Sequence, residues 1–241
     1  MSIWGKLAAA ITDTSMGAKT MGRLLGGGAR YDTPKREKHD TPADDALPFT
    51  MGMVTLGAKM AKADGIVSKD EVHAFKKAFK VSDAEMNDAA RIFKRAKQNA
   101  AGYEAYAEEL VAALKGDRKL LEYVLEGLFI IANADDVMHP QEEKYLAHVA
   151  KVFGFTDAEF AFMKARHTIE AERNSYDVLG VKPSINNEEL ERQYRRLIAE
   201  SQAEEFVARG MPKEFVCIAT TKREVIREAY EAIAKERNIN I

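Results

Sequence analysis

Apolar residues recur at intervals of three and four along most of the chain. Met53, Leu56 and Met60 repeat this way, as do Val72, Phe75, Ala78 and Phe79. Leu120, Val124, Leu128 and Ile131 form a third apolar face, and Leu146, Val149 and Phe153 a fourth. This is the period of amphipathic helices. No stretch alternates with a period of two over a useful length. The pattern predicts an all-α bundle with helices near 47–63, 69–79, 83–97, 102–114, 117–134, 140–152 and 157–171.

The first residues follow a different pattern. Ile3, Trp4, Leu7, Ala8 and Ile11 would share one face of a short helix, which Thr12, Asp13 and Thr14 interrupt and Gly26-Gly27-Gly28 ends. It reads either as a docking or membrane-surface helix or as a frayed terminus packed weakly on its own domain. It lacks the basic n-region of a signal peptide. Residues 29–45 are polar, carry Thr33-Pro34 and Thr41-Pro42, and read as a flexible linker. The expected organisation is an arm and linker over 1–45, a helical domain over 46–171 and a second helical domain over 172–241.

Composition narrows the function classes. Hydrophobic residues make up 46% of the 241 and charged residues 31%, an ordinary globular balance. A formal net charge of −2 supplies no electrostatic reason to expect nucleic acid as a partner. Cys217 is alone, so no internal disulfide is possible. No apolar run reaches the roughly 18 residues of a membrane span. The expected location is cytoplasmic.

The first helical domain repeats itself. Ala61-Lys62-Ala63-Asp64-Gly65 leading to Glu71 aligns with Ala132-Asn133-Ala134-Asp135-Asp136 leading to Glu142. Each copy then reaches a similar helix start, Val81-Ser82-Asp83-Ala84-Glu85 and Phe155-Thr156-Asp157-Ala158-Glu159. This repeated signature in an all-helical domain resembles the TerB, or tellurite-resistance-like, fold. The resemblance implies a weak divalent-metal site and nominates Asp64, Glu71, Asp135, Asp136 and Glu142. The spacing is not that of an EF-hand, whose first and third positions would be Met60 and Lys62, or Ile131 and Asn133. Capping is the structural alternative. Ser68 and Glu71 make a capping box, while Pro140 and Glu142 take the first and third positions of another helix. His139, His148 and His167, with a single cysteine in the chain, do not make a zinc set.

Near the end stand Tyr176-Asp177-Val178-Leu179-Gly180-Val181, Tyr194-Arg195-Arg196-Leu197 and Ala229-Tyr230-Glu231-Ala232-Ile233. In this order and spacing, over residues 173–237, they resemble a DnaJ-type J domain. A TerB-like domain followed by a J domain resembles the DjlA-like co-chaperones, as does the loop segment 208–215. The resemblance implies a DnaK-type chaperone as partner, met by Arg192, Arg195 and Arg196 on the second J helix and by the loop after it. The loop departs from the family. Where the family carries His-Pro-Asp, this chain reads Gln202-Ala203-Glu204.

That change has physical content. Gln202 cannot ionise as imidazole does, Ala203 lacks the fixed φ of proline, and Glu204 carries its charge one methylene further out than Asp. All three are good helix formers. The second J helix, capped at Asn186 with Glu189 three residues on, is therefore expected to run past Ala199 to Ala208, before Gly210. Pro212 opens the last helix, where Phe215, Ile218, Val225, Ala229 and Ile233 form one apolar face. Cys217 reads as a small core residue.

No catalytic constellation or phosphate-binding glycine loop is visible, so neither an enzyme nor a cofactor is expected. The leading reading is an interaction protein with a degenerate J domain and a separate protein-binding surface on its TerB-like domain. It would bind a DnaK-type chaperone weakly or not at all, without efficient stimulation of its ATPase. A second reading is a metal- or stress-responsive binding protein in which the J-like part is structural. A third is ordinary chaperone stimulation, with Glu204 standing in for aspartate.

Overall fold

The computed structural model describes residues 43–63, 102–133, 138–168, 172–202, 204, 207 and 213–239. The helices expected at 69–79 and 83–97, the Ser68–Glu71 capping box and most of the N-terminal arm lie outside these residues. The described residues are helical, joined by turns and short loops, as an all-α chain requires.

Among the described residues, five helices make the first unit: α1 Ala43–Ala63, α2 Tyr103–Ala113, α3 Arg118–Ala132, α4 Pro140–Val152 and α5 Asp157–Arg166. Three follow: α6 Ser175–Leu179, α7 Asn187–Glu200 and α8 Lys213–Glu236. The boundaries follow local chemistry. Asp117 accepts hydrogen bonds from the Lys119 and Leu120 N–H groups at the start of α3. At α5, Thr156 Oγ1 accepts from Glu159 N–H while Glu159 returns to Thr156 N–H, the reciprocal pair of a capping box. Gly180 ends α6 at φ 64°, a left-handed position where a side chain would be strained and would also crowd the Phe162 ring.

The central element of the first unit is α3. It packs on α1, α4 and α8, and its buried residues include Leu120, Leu121, Val124, Leu125, Leu128 and Phe129. Burial therefore runs around more than one face, which marks a helix inside its bundle. Tyr145 of α4 donates to the Leu56 carbonyl of α1 at 2.8 Å, so its phenol is buried with a partner.

The second unit has its own apolar cluster: Val178, Leu179, Leu190, Leu197, Ile226, Ala229, Tyr230 and Ile233. Tyr194 stacks on Tyr230, centroids 4.1 Å apart, which joins α7 to α8. Arg237, just beyond α8, holds the α6–α7 loop. It donates to the carbonyls of Ile185 and Pro183, each at 2.7 Å, to Asn187 Oδ1 at 3.0 Å and to Tyr176 Oη at 3.2 Å.

One expectation is corrected. α7 does not continue through Gln202 to Ala208. It stops at Glu200, and Ser201 closes it at φ −99°, ψ 23°. Ser201 is buried and donates its hydroxyl to the Leu197 carbonyl at 2.7 Å, while its N–H reaches the carbonyls of Leu197 and Ile198. Gln202 is exposed and non-helical, and helical backbone returns at Glu204 and Val207. The helix-forming tendency of Gln, Ala and Glu is a weak prior that local context overrides.

Candidate interaction surface and the charge cluster behind it

The arginine surface is carried by α7. Asn186 caps this helix, accepting from Glu189 N–H at 2.9 Å. Leu190 and Leu197 point into the second core, which leaves Arg192, Arg195 and Arg196 on the solvent side. Arg195 Nη2 lies 2.5 Å from Glu191 Oε1, and Arg196 Nε lies 3.8 Å from Glu200 Oε1. Both are exposed pairs one helical turn apart, each worth about 0.3–0.5 kcal/mol, so an acidic partner can displace them at small cost. Arg192 makes no ion pair among the described residues.

A shallow groove of about 400 Å³ runs beside this row, lined by Gly180, Val181, Ile185, Glu189, Arg192, Gln193 and Arg196. Gln193 donates its amide to the Leu179 carbonyl at 2.8 Å, which fixes α7 against the end of α6. The groove thus has an apolar floor and a mainly cationic rim.

Of the loop residues, Gln202 and Glu204 are exposed, and Ala203 lies outside the described residues. Glu204 Oε1 is 4.0 Å from Arg223 Nη1 of α8, a long contact between exposed groups. The arginine row and the loop therefore stand at the free side and the end of one helix.

Of the acids nominated for metal, Asp64, Glu71, Asp135 and Asp136 lie outside the described residues. Glu142 is buried at the start of α4, where its carboxylate accepts from His139 N–H at 3.0 Å. That is the capping role its spacing predicts, with Pro140 at the first helical position. Among the described residues no three such side chains converge as metal ligands.

The most unusual chemistry was not legible as a motif. Glu126, fully buried on α3, accepts from Arg166 and from His167 Nε2. Arg166 Nη2 also donates to Glu122 at 3.0 Å, and Lys222 of α8 donates to the same Glu122 oxygen at 2.6 Å. Phe129 stacks beneath His167 with centroids 5.0 Å apart, and the Arg166 guanidinium sits 4.3 Å over the Phe162 ring. Burial alone would raise the Glu126 pKa. Arg166, then His167 and Lys222, outweigh it and hold the carboxyl well below the usual carboxylate range. A signal was present in the sequence: Glu126 interrupts the apolar run of α3, and Lys222 falls on the apolar stripe of α8 one turn from Ile218 and one from Ile226.

Comparison with known proteins accounts for both units. The family of the tellurite resistance protein TerB matches residues 50–165. The chain is 27% identical over 215 aligned positions to the co-chaperone protein DjlA of Vibrio cholerae, covering 75% of each chain. It is 28% identical over 205 positions to that of Coxiella burnetii, covering 75% of this chain and 74% of the relative. Against that of Escherichia coli K12 it is 24% identical over 269 positions, covering 98% of this chain and 99% of the relative. No solved structure matches. Among the described residues, no helix is long and apolar enough to cross a membrane. Because the DjlA relatives align well beyond the TerB match, the likeness to these co-chaperones includes the helical unit that follows it.

Proposed function

We propose that this chain is a non-enzymatic interaction protein of co-chaperone type, whose J-like unit offers α7 to an acidic surface of a DnaK-type chaperone without efficiently stimulating ATP hydrolysis. The observation that carries the reading is the separation of two features on one helix. Arg192, Arg195 and Arg196 stand exposed with weak partners or none, while the following loop lacks the imidazole and the proline of the J domains it resembles. Charged rows of this kind steer encounter and set register. A transferable activating contact needs directed groups at the helix end, and Gln202 supplies only a neutral amide. The TerB-type bundle provides a second, separate protein-binding surface.

Binding of the full-length protein to a DnaK-type chaperone at low ionic strength tests this. Arg192→Glu with Arg195→Glu is expected to weaken binding by about tenfold or more, with the loss concentrated in the association rate. Unchanged binding by the double variant would remove the arginine row from the account.

A further inference from the structure

The buried apolar residues form two separate clusters, and among the described residues α8 is the one helix with members in both. Ile218 and Ala219 belong to the first cluster, and Ile226, Ala229, Tyr230 and Ile233 to the second. Lys222 lies between these two sets. Its side chain is almost wholly buried, with Nζ 2.6 Å from Glu122 Oε1, 3.9 Å from Glu126 Oε1 and 5.0 Å above the Tyr123 ring. All three of these residues are on α3. Two carboxylates therefore meet Arg166 and His167 from the end of the first unit and one cation, Lys222, from the second.

Burying an ammonium group is costly unless it is paired, so α8 can lie here only where the bundle offers those carboxylates. Close approach accompanies the pairing. A Cβ at Gly127 would overlap the Met53 side chain and lie 3.0 Å from Ile218 Cδ1, so glycine lets α8 settle against α3. At the connection, Arg173 donates to the Thr168 carbonyl at 3.1 Å and lies 3.5 Å from Glu228 of α8.

We propose that Lys222 is the bolt of a releasable latch between the two units, and that the first half of α8 can leave the bundle while both cores stay folded. Three features support release. The cores are distinct clusters, the described α8 residues place only Ile218 and Ala219 in the first, and Lys222 beside them makes ionic contacts with Glu122 and Glu126. Contacts of this mixed polar kind between domains permit relative motion. When latched, the arginine row of α7 has a fixed direction relative to the TerB-type bundle. When released, the second unit stays joined to the bundle through the packing of Phe162 and Ala165 of α5 on the second cluster and through the chain between α5 and α6. The latch does not depend on which partner α7 meets.

Cys217, the single cysteine of the chain, is half-buried on α8 beside Ile218 and reports on the latch without added labels. The experiment measures its reaction with an aromatic disulfide reagent in the full-length protein, from zero to low urea. Lys222→Met and Glu122→Gln are each expected to speed labelling about thirtyfold or more, the effect of losing one partner of a largely buried ion pair. That acceleration is expected to depend weakly on urea, as a local opening does, and to leave the urea midpoint of the first core unchanged. Glu231→Gln, in an exposed pair with Arg227, is expected to leave the rate unchanged. Three results would overturn the latch: both variants label at the wild-type rate, labelling rises only with the urea dependence of global unfolding, or wild-type Cys217 already reacts as fast as in the unfolded chain.

Discussion

Lys222 Nζ and Glu122 Oε1 are 2.6 Å apart across 100 residues of sequence, and Arg166 Nη2 reaches the same oxygen from 3.0 Å. One half-buried carboxylate thus serves cations from both units. Glu126, with no exposure at all, depends on the same Arg166.

Arg166→Ala is therefore expected to be among the most damaging single changes in the first unit. It strips Glu126 of its main cation, removes the guanidinium from the Phe162 ring and leaves a charge in the interior. Breaking a buried pair from one side costs about 3–5 kcal/mol. Urea unfolding of wild type and variant measures it, and a loss below about 1 kcal/mol would mean that the carboxylate is well solvated or neutral.

Acid is expected to act through Glu126. Its pKa in the folded state lies below the unfolded value, so its contribution is fully present above the unfolded pKa, near 4.3 for Glu. It is lost as pH falls from there toward the folded value. The groups facing it are Glu122, Arg166, His167 and Lys222. Thermal melts from pH 7 to pH 3 should show wild type losing stability below about pH 4.5 more steeply than Glu126→Gln. Equal slopes would contradict this assignment.

Arg237 is expected to govern order in the α6–α7 loop. Its planar fork meets two carbonyls, Asn187 and Tyr176 at once, a geometry that lysine cannot copy. Arg237→Ala and Arg237→Lys should each cost about 1.5–3 kcal/mol, the scale of hydrogen bonds to a charged group. Amide exchange in 181–187 should rise in both. Full protection in the lysine variant would show that charge alone suffices.

How far the fold can be read from the sequence depends on how many faces of a helix are buried. In α7, Leu190 and Leu197 fall on one stripe and both are buried, so spacing alone identifies the core side. In α8, Ile218, Val225, Ala229 and Ile233 read as one stripe, yet Ile218 enters the first core and the others pack with the second. Periodicity shows that a face is covered, not by what. The arginine row was legible because exposed charges need no partner, and the structure leaves all three arginines exposed. Glu126, Arg166 and Lys222 were not, because their meaning arises only when three distant helices converge. The end of α7 differs for a related reason: propensity favours continuation, while the helix ends at Glu200 with the buried Ser201 as its C-cap.

The central claim is that the arginine surface persists while the loop after it no longer activates. Single-turnover ATP hydrolysis by a DnaK-type chaperone tests it most directly, with this protein and with its Gln202→His, Ala203→Pro, Glu204→Asp variant. The account predicts acceleration by the triple variant and little or none by the wild-type chain. Acceleration by the wild-type chain equal to that of the triple variant would contradict it, with Glu204 then doing the work of aspartate.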